Sequence, residues 1–257
     1  MVIILPNTGS LKQVKLSTLS WKDLYIVRNH KTMRYNIFNQ IHKGLRAMLY
    51  DTALRIQQTD FAQEEQATAT ILQLEKVLFY FDQHADHEDE FILPAVRKHA
   101  RLLVEELESE HVTDHALSHS LNKHIKEWRS SLNEGVKRNA GLHMLYDFNS
   151  FIAFNLYHMN KEELLFNQVL WEYYTDEEIF LIEHALITTI PPDVLIDESR
   201  WIMRGINNEE VISWLNGVKN NAPPEAFAVF MTLAEEELSV NRLKDVQASL
   251  TEGALLA

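Results

Sequence analysis

The sequence predicts an all-α protein, an up-and-down four-helix bundle followed by an additional carboxy-terminal helical region. Three observations point there. Only seven glycines and six prolines occur among 257 residues, about half the usual frequency, while leucine, glutamate, alanine and lysine are common; such a composition favours long helices over strands. Apolar residues recur at spacings of three and four through four long segments, the pattern of helices that bury one face. Turn signals fall near the midpoints between those segments, as antiparallel neighbours that meet at one height require.

Residues 1–33 read as a mixed polar amino-terminal segment, a loop with one short helix, and residues 34–173 as the bundle. The first helix, from about 34 to 58, carries Phe38, Ile41, Leu45, Met48, Leu49 and Ile56 on a stripe that includes His42. Thr59-Asp60-Phe61 supplies the first turn. The second helix, about 62 to 97, places Leu74, Val77, Phe81, His84, Glu88 and Phe91 on one side, and Pro94 should bend its last turns. The third, about 101 to 132, has Val104, Leu107, His111, Leu121, Ile125 and Trp128 on its stripe and a glycine stop at Gly135. The fourth, about 139 to 173, runs Met144, Phe148, Phe151, Asn155, His158, Glu162, Leu165, Val169, with its polar members in the middle.

Residues 174–257 form the carboxy-terminal extension. Thr175-x-x-Glu178 is a capping box for a short helix that ends at Pro191-Pro192. Asn207-x-x-Glu210 and Pro223-Pro224 mark two further helix starts, and Gly253 begins a frayed tail.

With 24 basic and 37 acidic residues the net charge is −13, which opposes nonspecific attraction to nucleic acid or an anionic membrane. The chain has no cysteine, which excludes disulfides, iron–sulfur clusters and thiolate zinc sites. Any metal must use nitrogen and oxygen ligands. The apolar start breaks at Pro6 without a basic leader, and no run of about 18 apolar residues follows. A cytoplasmic protein is the expectation. No glycine-rich phosphate loop, Gly-x-Ser-x-Gly or cysteine nucleophile occurs.

The chemistry lies in His42, His84, Glu88, His111, His158 and Glu162, which the predicted turns bring to one height. A single histidine on an apolar face is more often a hydrogen-bonded core residue than a ligand. A buried glutamate is different, since an ionised carboxylate in a helix interior costs several kcal/mol unless a positive charge compensates it. No lysine or arginine shares the stripes of Glu88 and Glu162. Either these carboxylates are protonated or something cationic lies between the helices, and a metal pair fits best. Carboxylates and neutral imidazoles without sulfur suit iron or manganese, and zinc less surely. Two divalent ions would outweigh two carboxylates, leaving charge for hydroxide, oxide or a bound anion.

The segments Ile41-His42-Lys-Gly-Leu-Arg46, His84-Ala-Asp-His-Glu88-Asp-Glu-Phe-Ile-Leu-Pro94, Glu110-His111 and His158-Met-Asn-Lys-Glu162-Glu163 resemble the hemerythrin-like, or HHE cation-binding, family over residues 34–173. The resemblance implies a non-haem centre of two iron ions in the bundle. His42, His84, His111 and His158 would be terminal ligands, and Glu88 and Glu162 would bridge the ions. The implied function is binding of a small diatomic or oxyanion ligand, O2, NO or peroxide, for sensing, protection or oxidation chemistry. Oxygen carriers of the family have His-x-x-x-His in the third helix and His-x-x-x-x-Asp in the fourth. This chain has Glu162 in place of that aspartate, which argues against simple oxygen transport. His111-Val-Thr-Asp-His115 keeps the third-helix spacing and makes His115 a candidate fifth histidine. Members proposed to repair iron centres carry a cysteine-containing amino-terminal segment that this chain lacks.

Around the helices, His87 lies about 60° from His84 and Glu163 about 140° from the ligand face, so Glu163 reads as solvent-facing. His99, His119, His124 and His143 read as surface residues. Asn155, one turn before His158, is placed to orient a ligand imidazole. Three other functions compete. A ferritin-like di-iron oxidase needs two Glu-x-x-His motifs and finds only Glu108-x-x-His111. A zinc hydrolase needs His-Glu-x-x-His, and His111-Val-Thr-Asp-His115 lacks the glutamate. An iron-storage or iron-responsive interaction module would use the same ligands, with a protein partner at the region after residue 175.

Overall fold

A computed structural model of the chain describes residues 34–221 and 223–255, with two short strands before them. These strands, β1 (Val2–Leu5) and β2 (Lys12–Lys15), pair antiparallel with Val2 opposite Lys15. A loop was expected there; the β-branched run Val2-Ile3-Ile4 favours extended backbone instead. The short helix expected within 1–33 lies outside the described residues. From residue 34 onward every regular element described is a helix, as the composition predicts.

Four long helical runs come first. They are α1 (Asn39–Gln58); α2 (Glu64–His87), which passes through a π turn (Glu88–Ile92) into α3 (Leu93–Arg97); α4 (Arg101–Ser130); and α5 (Glu134–Lys161), which passes through a second π turn (Glu162–Phe166) into α6 (Asn167–Tyr173). The runs break where the turn signals fall, with one adjustment. Gly135 sits in the first turn of α5 rather than stopping α4, because the Asn133 side chain caps α5 by accepting from the Val136 N–H at 3.1 Å.

At each π turn the backbone reaches back five residues, from Leu93 N–H to Glu88 O and from Asn167 N–H to Glu162 O. The first widening gives Pro94, which cannot donate, room against the preceding turn. The second contains no proline, so proline is not the common cause. What the two turns share is a glutamate as first residue.

Helix α1 packs on α2 and α5, and α4 packs on α5 and α2. Two apolar layers fill the interior. One includes Leu45, Met48 and Leu49 of α1, Leu74 and Phe81 of α2, Leu121 and Ile125 of α4, and Phe148 and Phe151 of α5, all buried. The other gathers Phe38, Ile92, Leu93, Val104, Leu107, Phe166 and Leu170. Each such side chain contributes about 1.5–3 kcal/mol through burial. The histidines and glutamates lie between the layers in every run.

The helix after residue 175 joins this first compact unit, which spans Arg34–Leu186, a helix beyond the boundary expected at 173. In α7 (Asp176–Ile187) Ile179 is buried in the second apolar layer. Arg34 ties the helix start down, donating to Asp176 at 2.6 Å and to the Tyr174 carbonyl at 2.6 Å. The Thr175/Glu178 capping box forms in both directions, at 2.8 and 3.2 Å.

A carboxy-terminal unit begins at Ile187. It holds α8 (Pro192–Gly205), α9 (Asn208–Asn221), α10 (Pro224–Glu237) and α11 (Val240–Leu255), around a core that includes Met203, Ile206, Val211, Leu215, Ala234 and Val246. Pro192 and Pro224 occupy first helical positions, and Asn207 and Glu210 cap each other at 2.9 and 3.0 Å. Helix α11 continues through Gly253, so the expected fraying point lies within a helix. Among the described residues no helix is long and apolar enough to cross a membrane.

Candidate metal centre

The six residues singled out by spacing converge. His42 comes from α1, His84 from the last turn of α2, His111 from α4 and His158 from the last turn of α5, while Glu88 and Glu162 open the two π turns. They form two overlapping groups, His42/His84/Glu88/Glu162 and Glu88/His111/His158/Glu162, with ligand atoms within 4.8 Å of one another in each. Either group can hold a metal ion.

Each glutamate divides its oxygens between the histidine pairs. Glu88 Oε1 lies 3.2 Å from His84 Nε2, and its Oε2 lies 3.5 Å from His111 Nε2. Glu162 Oε2 lies 3.4 Å from His42 Nε2, and its Oε1 lies 3.0 Å from His158 Nε2. Both glutamates are buried, and none of their four oxygens has a hydrogen-bond partner. Buried polar atoms are rarely left so.

The far sides of the rings explain what the near sides want. His42 donates from Nδ1 to Glu163 Oε1 at 3.0 Å, His111 from Nδ1 to Asp89 Oδ1 at 2.9 Å, and His158 from Nδ1 to Glu110 Oε2 at 2.9 Å. A carboxylate can only accept, so these bonds put a proton on Nδ1 and leave Nε2 facing inward, open to a metal ion or to a second proton. The Nε2 atoms of His111 and His158 are 3.2 Å apart, and those of His42 and His84 3.1 Å. Lone pairs facing at that distance repel unless a proton or a metal ion sits between them.

The charges follow the same geometry. Burial drives the Glu162 carboxyl up, and the Glu88 charge adds to it, raising its pKa to about 7. For Glu88, burial is outweighed by His84, His111 and His42, which hold it well below the usual carboxylate range. For His158, burial is outweighed by Glu162, Glu88 and Glu110, which push it up to about 10. His84 goes the other way, pulled down to about 3 by burial. Without a metal, then, the cluster holds protons where a metal ion would displace them.

Three acids were missed or misplaced by the sequence. Glu163, read as solvent-facing, is half-buried and accepts from His42 and, at 2.7 Å, from Arg46. A helix within a packed group touches neighbours on its flanks as well as at its centre. A residue next to a central glutamate is turned about 100° from that neighbour around the helix and therefore meets the flanking helix rather than water. Asp89 follows the same logic toward α4, and Glu110 toward α5. The available signal was adjacency, since Asp89 and Glu163 each follow a central glutamate and Glu110 precedes His111.

Two other expectations change. Asn155 does not orient an imidazole; its amide donates to buried Asp114 at 2.6 Å and to the Phe151 carbonyl at 3.1 Å. His115 does not reach the cluster, but lies half-exposed 3.2 Å from Asp82. His87 is partly buried, and so is His124, which lies 3.1 Å from Asp147. Glu108, the lone acid of an oxidase-type motif, is exposed and pairs with Arg97. No protein-family model, curated protein or solved structure matches this chain.

Proposed function

We propose that this chain is a hemerythrin-like protein whose four helical runs form an up-and-down bundle around a non-haem di-iron centre, binding O2, NO or peroxide for sensing, protection or oxidation. The observation that carries this reading is the set of four partnerless carboxylate oxygens, one from each glutamate aimed at each histidine pair. His42 and His84 would hold one ion, His111 and His158 the other, and Glu88 and Glu162 would span them. The nitrogen and oxygen donor set suits iron or manganese, and zinc less well; the resemblance to the hemerythrin-like family selects iron among them. A bound iron pair supplies exchangeable coordination positions and one-electron redox steps to a small ligand.

The chain's own residues supply the setting. Glu163, Asp89 and Glu110 orient three imidazoles and bring negative charge close to the two cations. The apolar layers on either side exclude water, which strengthens every charge interaction in the cluster. A second reading, an iron-responsive interaction module, is favoured by one feature, the carboxy-terminal helical unit with a core of its own.

The test is anaerobic loading with Fe(II), metal analysis, and visible spectra before and after exposure to air. About two irons per chain and an air-dependent ferric spectrum, both lost in Glu88→Ala and Glu162→Ala, are expected. One ion or fewer per chain with all six residues intact would refute the dinuclear centre.

A further inference from the structure

Three of the four inward histidines are gripped from behind by a carboxylate. His84 is not. Among the described residues its ring makes polar contacts through Nε2 alone, to His42 at 3.1 Å and Glu88 at 3.2 Å, both inside the cluster. Its side chain is also the most exposed of the six, at 11% against 0–6% for the others.

We propose that the two metal positions are held unequally, the ion between His42 and His84 leaving first and the ion between His111 and His158 staying. The inference rests on the dinuclear reading above and adds an order of release to it. The two glutamates serve both positions and cannot distinguish them. The imidazoles can. The His111/His158 position has two rings fixed in tautomer and rotation by Asp89 and Glu110. The His42/His84 position has one, fixed by Glu163. A ring without such a partner is free to rotate off the ion, and its lone pair is less basic; each lost partner typically costs about 10–100-fold in metal affinity.

Charge points the same way. Two acids stand behind the His111/His158 position, and one cation, Lys161, pairs with the Glu110 oxygen that does not touch the ring. Behind the His42/His84 position stands one acid, and Arg46 binds the same Glu163 oxygen that receives His42. That arginine draws off much of the negative charge the ring would otherwise sense. Both effects weaken the same ion.

The experiment follows iron release from the Fe(II)-loaded full-length chain, mixed anaerobically with excess of a bipyridine-type chelator. Two phases of about one iron each are expected, separated by at least about tenfold in rate. Glu163→Gln, nearly isosteric, should speed the fast phase and leave the slow one. Asp89→Asn and Glu110→Gln should speed the slow phase and narrow the gap. His84→Ala should leave one slowly released ion. A general loosening of the helices would speed both phases together in every variant. Failure to load two ions defeats the dinuclear reading itself. Two ions lost in a single phase, or a slow phase moved by Glu163→Gln and not by Asp89→Asn, overturn the unequal hold.

Discussion

His42 and Glu163 lie 121 positions apart in sequence and meet at 3.0 Å, Nδ1 to Oε1. The residue before Glu163 faces the opposite nitrogen of the same ring, Glu162 Oε2 being 3.4 Å from His42 Nε2. Two consecutive acids thus address both ends of one imidazole, the outer fixing its tautomer and the inner sharing its target. The arrangement recurs across the site, where Glu88 faces His111 Nε2 and Asp89 accepts from His111 Nδ1.

Glu163 therefore matters for affinity without being a ligand. Glu163→Ala should weaken metal binding about 10–100-fold while saturating metal still fills the site, whereas Glu162→Ala should abolish full loading. A metal titration separates these outcomes; equal loss in the two variants would show that Glu163 does more than orient. Burial raises the Glu163 pKa, but His42 and Arg46 outweigh it and lower it from 4.5 to about 2. A lowered folded value means stability present above pH 4.5 and lost as pH falls toward 2. The stability difference between the wild-type protein and Glu163→Gln should shrink through that window.

Metal-free protein should gain stability on mild acidification. Glu162 is raised from 4.5 to about 7, by burial first and then by Glu88. His158 is raised from 6.5 to about 10, its burial outweighed by Glu162. A raised folded pKa gives stability that is full below the unfolded value and lost as pH climbs through the folded one. The chelated protein therefore loses stability through Glu162 as pH rises from about 5 to 7 and through His158 as it rises above 6.5, and adding metal at pH 8 should restore it. Thermal melts of chelated protein at pH 5 and pH 8 check this; a higher Tm at pH 8 would contradict it.

Asn155 should be structural. Asn155→Leu leaves Asp114, whose pKa burial already raises, without its 2.6 Å donor. Stability should fall by at least about 1–3 kcal/mol with metal content unchanged at saturation. Chemical denaturation beside metal analysis tests the pair, and lost metal at unchanged stability would return Asn155 to the site.

His115→Ala should change neither metal number nor spectrum, because that ring faces Asp82 at the surface. Loss of one iron, or a shifted spectrum, would restore it as a ligand.

Helices, their breaks and all six inward residues were legible in the sequence because each rests on local periodicity. A stripe of period 3.6 places His84 above Glu88 and His158 above Glu162 whatever packs against them, and the cost of burying a charge makes their company informative. The capping pairs Thr175/Glu178 and Asn207/Glu210 were legible for the same reason, since both partners lie within one turn. Tertiary structure alone decided the flanks. Whether Glu163, Asp89 or Glu110 meets water or a neighbouring ring depends on which helix lies beside its own, and adjacency to a ligand does not decide that. The same is true of Asn155, whose partner proved to be Asp114 on α4, and of His115, whose helical spacing matched a ligand pattern while packing turned it outward. The sequence by itself determined which side chains lie on the central stripe of each helix, because a stripe is a property of one helix. Packing determined which atoms of those side chains are held, and from which side, because a hydrogen bond between helices exists only once two helices are fixed against each other.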